Sequence, residues 1–358
     1  MTEALVIDRP EDLLASEAAL RVGGATPRMR DAAAALGVPE AALVEARRSI
    51  GEVRRLRRPE APEGFGAVLA RLPEAGEVMA LTRNEACVHE VHGRFNPPEF
   101  GGAMGQVVGE IDLRLFLRHW AYGFLLDEET RSGPRRSLQF FDASGTAVHK
   151  VYATAATDAA AFARIAAEAD DPDAPPARFE PVAEAAADRP DSEIDGDGLR
   201  QAWEALAHTH EFHGLLRRFG VGRAQAMRLS GRERARPVEV AAIREVLRGA
   251  AAEALPIMVF VGNKGCVQIH SGPVQRVEVM GPWLNVLDPR FNLHLREDRV
   301  VSAWVVRKPS VNGEIHSLER FDAVGEIIVQ VFGHRRAGER ERPDWRALVT
   351  GLAEAGPC

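Results

Sequence analysis

The chain has 358 residues, 46% hydrophobic and 27% charged, with 45 Lys and Arg against 52 Asp and Glu for a formal net charge of −7. This is a globular composition long enough for two ordinary domains, and its negative balance disfavours general attraction to phosphate backbones or anionic lipid. The opening MTEALVIDRPEDLLASEAAL has acids where a secretion signal needs a basic start, no apolar run reaches the roughly 18 residues of a membrane span, and Cys87, Cys266 and Cys358 are too scattered for a disulfide framework, so a reducing cytoplasm is the expected home.

Taken in order, the elements occur twice. Residues 32–44 carry apolar side chains at three-to-four spacing and read as helical, and the strand-like runs VMALTRNEACVHEVHG, IDLRLFLRHWAYGFLL and SLQFFDASGTAVHKVYA follow. Helical periodicity returns over 203–227, followed by IMVFVGNKGCVQIHSG, VVSAWVVRKP and SLERFDAVGEIIVQVFG. The copies are in register. NEACVHEVHG and NKGCVQIHSG share Asn, Cys, Val and Gly at an offset of 263 − 84 = 179, and SLQFFDASGTAVHKVYA matches SLERFDAVGEIIVQVFG at 317 − 137 = 180. Upstream, AALGVPEAALVEARR (34–48) has the cadence of RRFGVGRAQAMRLSG (217–231). The chain is therefore a duplicated module of about 180 residues. The DASG and DAVG links read as hairpin turns, with Asp opening the turn and Gly free to take positive φ. Hairpins imply antiparallel sheet, and helices ahead of strands imply an α+β fold rather than alternating βαβ units. The expected organisation is an N-terminal repeat over residues 1–167, an acidic Pro- and Ala-rich linker over 168–198, and a C-terminal repeat over 199–358.

The second helical segment contains AHTHEFHGLLRRFG, which puts His208, His210 and His213 within six residues, whereas the corresponding GGATPRMRDAAAALGV has no histidine. On a helix His210 and His213 share a face and His208 points elsewhere. Three readings fit: a surface cluster; a structural metal site built from all three, although no Cys-x-x-Cys pair accompanies it; and an axial imidazole for a haem, which also needs an apolar slot and cations for two propionates. The asymmetry between copies favours a site kept or gained by one of them. A further alternative, helix-turn-helix DNA binding, comes from the helix–Gly–Val–helix rhythm and arginines of LLRRFGVGRAQAMRLSGRERARPVEV. The acidic chain and the less basic counterpart at 34–48 weigh against it, so nucleic acid is not an expected partner. His89, His92, His149, His270, His294 and His316 lie in strand-like text and read as surface or structural residues, with His92 and His270 as secondary candidates for haem contact. Cys87 and Cys266 hold equivalent positions, which suits buried thiols better than ligands.

Four stretches, ALTRNEACVHEVHGRF, SLQFFDASGTAVHKVY, GPWLNVLDPRFNLHLREDRVVSAWVVRKP and VFGHRRAGERERPDWRALV, together resemble the cytoplasmic haemin-binding and haemin-degrading proteins of bacterial haem-uptake systems, the HemS/HmuS type, from about residue 37 to 352. The resemblance implies a pseudo-twofold protein whose halves are each a large antiparallel sheet flanked by helices, with one haem b in a cleft between the halves. It implies His210 as proximal iron ligand and His213 as alternative ligand, with Arg114, the candidate catalytic cation, and Phe116 on the distal side. Lys308 and Arg335 are implied for the propionates and distal pocket of the second half, with Met258 and Phe260 as apolar haem contacts. Phe332 stands where several relatives carry a tyrosine, so that hydroxyl is missing from this site. The implied function is to receive haem from an inner-membrane transporter and either pass it to a haem oxygenase or open its ring to release iron. No flavin or nicotinamide fingerprint accompanies these motifs, so an external reductant would be a separate partner. Carrier and degrading enzyme both stay open. The chemistry agrees: a ligating imidazole needs an acceptor for its other nitrogen, for which Glu211 and backbone carbonyls are the local options, and propionates entering a dry cleft need Arg or Lys.

Overall fold

The long strand-like runs of each repeat pair through their short hairpins, and the result is the same sheet twice. The computed structural model describes residues 4–20, 27–130, 133–183, 187–336 and 338–356. It divides into two units, one of Met1–Arg83, Glu90–Ala183 and Gly262–Gln268, the other of Asn84–His89, Glu184–Val261 and Ile269–Cys358. In the first, strands Gly76–Arg83, Ala147–Thr157, Gly133–Phe141, Tyr122–Thr130 and Val53–Leu56 lie side by side in that order, all antiparallel. In the second, Ile257–Gly262, Ile327–Gly333, Ile315–Phe321, Ser302–Lys308 and Ala235–Val238 repeat the order. Both hairpins turn as their sequences predict. Asp142 Oδ1 accepts the N–H groups of Ser144 and Thr146, Asp322 Oδ1 those of Val324 and Glu326, and Gly145 and Gly325 sit at φ +80° and +79°.

The run at 111–126 is not continuous strand. It splits into Asp112–Phe116 and Tyr122–Thr130 around a 3-10 turn at Leu117–His119. Leu117 and Trp120 are both buried, and a strand would put residues three apart on opposite faces. The helical stretches also divide, into Met29–Leu36 and Glu40–Ala46 in the first repeat and Phe212–Phe219 and Arg223–Ser230 in the second. The break falls at Gly37 and Gly220, whose φ of +69° and +60° are the left-handed caps that glycine adopts without a Cβ clash. These helices pack on the sheet: Val44, Phe124, Phe141 and Phe179 share one core cluster, and Trp203, Phe212, Leu215, Met227 and Phe321 another. Each such side chain contributes about 1.5–3 kcal/mol by leaving water.

The described residues of the expected linker, 168–183 and 187–198, include several anchors. Ala177 and Phe179 are buried, Arg178–Phe179 pairs with Leu5–Val6, and the Tyr122 hydroxyl donates to the Arg178 carbonyl. The helix Gly196–Glu204 then begins inside the segment, with the Asp195 side chain accepting the Gly198 N–H as its cap.

The shared Asn-x-x-Cys motif is a turn that each unit takes from the other repeat. Asn84 Oδ1 accepts the N–H groups of Ala86 and Cys87 while its Nδ2 donates to the Ile328 carbonyl at 2.8 Å. Asn263 Oδ1 does the same for Gly265 and Cys266, and its Nδ2 reaches the carbonyls of Arg83 at 2.9 Å and Val148 at 2.8 Å. Ile328 and Val148 are equivalent positions, 328 − 148 = 180, so the exchange is symmetrical.

Candidate functional site

Cross-strand partners point to the same side of a sheet, which identifies one face of the second unit. Met258 pairs with Phe332, Phe332 with Ser317, Val306 with Ser317, and Lys308 with Ile315. Helices cover the middle of this face, whereas Met258, Phe260 and Phe332 remain half-buried at its side, the rings of Phe260 and Phe332 edge-on at 5.1 Å. The counterpart of Phe332 in the first repeat is Tyr152, 332 − 180 = 152, so the hydroxyl missing here is present in the other copy.

The histidines lie on the chain leading into the covering helices. His210 belongs to a 3-10 turn, Thr209–Glu211, and His213 to the first turn of Phe212–Phe219; all three imidazoles of the cluster are exposed. The turn is locked from below. Glu211 Oε2 accepts the N–H groups of Ala207 at 3.0 Å and His208 at 3.1 Å, and those bonds hold its carboxyl below the usual range. Oε2 of Glu211 is thus taken by backbone N–H groups, which fix the turn that carries His210. His208 does not point elsewhere: outside a continuous helix, its ring stacks on His210 at 5.2 Å and 7°. His213 lines a groove with Leu216, Arg217, Val221 and Ile327.

Lys308 lies on the same sheet face but is not a solvent-facing cation. Its side chain is 3% exposed and its ammonium is bonded to Glu319, which is wholly buried and also takes Arg223 at 2.8 and 3.2 Å and the Ser317 hydroxyl at 3.0 Å. Burial pulls the lysine down to about 8. For Glu319, burial pushes upward but the Arg223 and Lys308 charges overcome it, leaving its carboxyl far below the ordinary range. Arg335, on the chain after Ile327–Gly333, is half-buried, and its Nε has no hydrogen-bond partner among the described residues.

Arg114 and Phe116 belong to the first unit, where the alternation of Asp112–Phe116 buries Leu113 and Leu115 and puts Asp112, Arg114 and Phe116 on the other face. Arg114 forms an ion pair with Asp112 and donates to the Leu113 carbonyl at 3.1 Å, while burial holds the Asp112 carboxyl above its ordinary value. The structure thus gathers His210, His213, Met258, Phe260, Lys308, Phe332 and Arg335 in one unit and Arg114 with Phe116 in the other.

Neither alternative reading of the basic, histidine-rich segment finds support. Among the described residues no group of three His, Cys, Asp or Glu could hold a metal ion. Several arginines of this segment have partners within the protein: on the helix, Arg223 meets the buried Glu319 and Arg228 lies at the surface beside Asp191, and beyond the helix Arg234 meets Glu204 and Arg236 the carbonyls of Leu352 and Thr350. Several strand histidines have structural partners: His149 Nδ1 meets the Thr82 hydroxyl, His294 meets Asn285, His316 meets Glu341, and His270 stacks on Phe291 at 3.8 Å. Both expected thiols are buried, with Cys266 pushed up to about 12. Missed from the sequence were Glu319, Arg223 and Phe212. Charge in SLERF reads as a solvated strand face, and only the loose alignment of 34–48 with 217–231, which puts Arg223 opposite Glu40, hinted at a shared buried pair.

The family model described as the haemin-degrading HemS.ChuX domain matches twice, at residues 37–169 and 220–352. The hemin transport protein HemS of Yersinia enterocolitica is 39% identical over 328 residues, covering 90% of this chain and 92% of the relative. The crystal structure of holo-PhuS, a heme-binding protein from Pseudomonas aeruginosa, superposes with a TM-score of 0.91 at 45% identity, covering 97% of this chain and 100% of that one. The heme-degrading enzyme ChuS of Escherichia coli O157:H7 gives 0.89 at 35% identity, covering 96% and 100%.

Proposed function

Because the chain belongs to the haemin-degrading HemS.ChuX domain family, we propose that it binds haem b as cargo and either delivers it or opens its ring to release iron. What carries the reading is the exposed His208–His210 pair on a turn locked by Glu211, in the unit whose sheet leaves Met258, Phe260 and Phe332 partly uncovered. A haem requires an imidazole, an apolar support and cations for its propionates, and these residues fit it. His210 is the iron ligand in this reading, with His213 as its alternative. Met258, Phe260 and Phe332 supply apolar contact, and the unpartnered Arg335 Nε supplies a propionate donor. The bound porphyrin iron supplies the redox chemistry if the ring is opened. The chain's own residues orient the imidazole, shield one face and neutralise carboxylates. Arg114 with Phe116 is assigned the distal role, in which a ligand drawn to the guanidinium competes with Asp112.

Among the described residues no helix is long and apolar enough to cross a membrane. We place the protein in the cytoplasm, taking haem from an inner-membrane transporter and passing it to a haem oxygenase, or drawing electrons from an external reductant.

The test is a haemin titration followed by visible absorbance on the wild type and on His210→Ala. A one-to-one Soret complex lost in the variant supports the assignment; an unchanged spectrum moves the ligand to His213, and a wild type that binds no haemin refutes the reading. Ascorbate and catalase are then added in air. Decay to a bilin-like spectrum identifies an enzyme, and a persistent Soret band a carrier.

A further inference from the structure

Both repeats bolt a helix to a sheet with buried charge, and they do so with opposite polarity. In the first, the acid is on the helix: Glu40, at the start of Glu40–Ala46, is buried against Lys150 and Arg83 of the strands. In the second, the cation is on the helix: Arg223, at the start of Arg223–Ser230, meets the strand residue Glu319, which Lys308 also binds. The places are equivalent, since Glu40 and Arg223 each follow the left-handed glycine cap by three residues, 40 − 37 = 223 − 220. Each set holds two cations and one carboxylate. The helix pair of the first repeat, Met29–Leu36 and Glu40–Ala46, carries no histidine, so the service of its charge set is to fasten helix to sheet.

The second set does something more. Lys308 Nζ lies 4.6 Å and Arg223 Cζ 5.1 Å from the centre of the Phe212 ring, and Trp203 meets the same ring edge-on at 4.6 Å and 74°. Phe212 opens its helix, next to His213 and two residues after His210, and its counterpart in the first repeat, whose helix pair has no histidine, is Met29, 212 − 183 = 29. We infer that Lys308, Glu319 and Arg223 are positioning residues that hold the histidine turn through Phe212, and that Lys308 acts there rather than on the carboxylates of the ligand. The inference deepens the haem reading and rests on it. A turn fixed before binding spares the ligand the entropic cost of ordering it, and a ring packed against the buried Lys308 ammonium and the partly exposed Arg223 guanidinium cannot swing aside without losing both cation–ring contacts.

The experiment compares haemin with haemin dimethyl ester, whose carboxylates are masked, on the wild type, Lys308→Met, Phe212→Leu and the double variant. Positioning predicts that Lys308→Met speeds release of both ligands equally, about tenfold for the loss of one cation–ring contact, and that the double variant releases no faster than Phe212→Leu. A defect that disappears with the diester, or losses that multiply in the double variant, overturns the inference in favour of direct contact. Amide hydrogen exchange on the ligand-free variants gives a readout independent of haem: residues 209–214 exchange faster while the Ala242–Ala252 helix is unchanged, and no local change overturns the inference. If the wild type binds neither ligand, the haem reading fails, and exchange still judges the positioning role. Phe212→Leu keeps the ion set intact and carries the exchange test should Lys308→Met fail to fold.

Discussion

Replacing Glu319 by Gln probes the buried charge set most directly. The carboxylate accepts from Arg223 Nε and Nη2, Lys308 Nζ and Ser317 Oγ, and it is wholly buried. A glutamine offers one oxygen in place of two and turns an NH2 group toward a cation, so Lys308, 3% exposed, loses its counter-charge where water cannot replace it. Breaking a buried pair from one side costs about 3–5 kcal/mol, because an uncompensated charge is left behind. At about 2–4 °C per kcal/mol for a unit of this size, the melting temperature falls by roughly 6–20 °C. Calorimetry on the wild type, Glu319→Gln and the double variant Lys308→Met with Glu319→Leu is the assay. The double variant recovers at least half of the loss, since no buried charge is then unpaired and Arg223, 23% exposed, reaches solvent. A single variant that loses under about 1 kcal/mol, or a double variant less stable than the single one, refutes the account of the set as a dry, mutually dependent group.

Two further outcomes follow from buried groups elsewhere. His149 and His89 are fully buried, and burial pulls both down to about 3. Below about 6.5 the unfolded chain takes up protons that the folded chain refuses, so stability falls as pH drops through that value and keeps falling toward 3. From pH 7.5 to 5.0 the loss is about 2 kcal/mol per histidine. His149→Val, which installs the residue of the equivalent position 329, abolishes one such share in urea titrations at the two pH values, and an unchanged pH dependence counts against it. Asn263→Ala removes the partner of two N–H groups and two carbonyls at once, with an expected loss of about 2–4 kcal/mol by denaturant unfolding. A loss below about 0.5 kcal/mol shows that solvent reaches these groups.

Much of this architecture was legible before any coordinates. The duplication, the DASG and DAVG hairpins and the α+β order are local or repetitive signals, and an Asp and a Gly at fixed offsets dictate the same turn wherever they fall. Arg114 and Phe116 were named through the family resemblance, and the structure shows them on one face of Asp112–Phe116. The interruption at Leu117–His119 escaped notice because a run of apolar residues does not reveal a change of backbone geometry. The anchors of the expected linker were not legible because its composition is poor in large apolar groups, and the buried Ala177 and Phe179 and the pairing of Arg178–Phe179 with Leu5–Val6 emerge only in the fold.

Sequence by itself determined that one module was written twice, that its strands pair antiparallel, and that only the second copy carries a histidine cluster in its helical segment, because turn chemistry, side-chain period and repetition act over a few residues or by direct comparison. Tertiary structure alone decided which charges are spent and which remain. Glu319 meets Arg223 across 96 positions of the chain, Lys308 is drawn inward to share it, and Phe212 is held between sheet and helix beside the histidines. The partner of a charge is whatever the fold brings within a few ångströms of it, and in a dry interior that choice fixes whether a lysine greets a ligand or holds a helix in place.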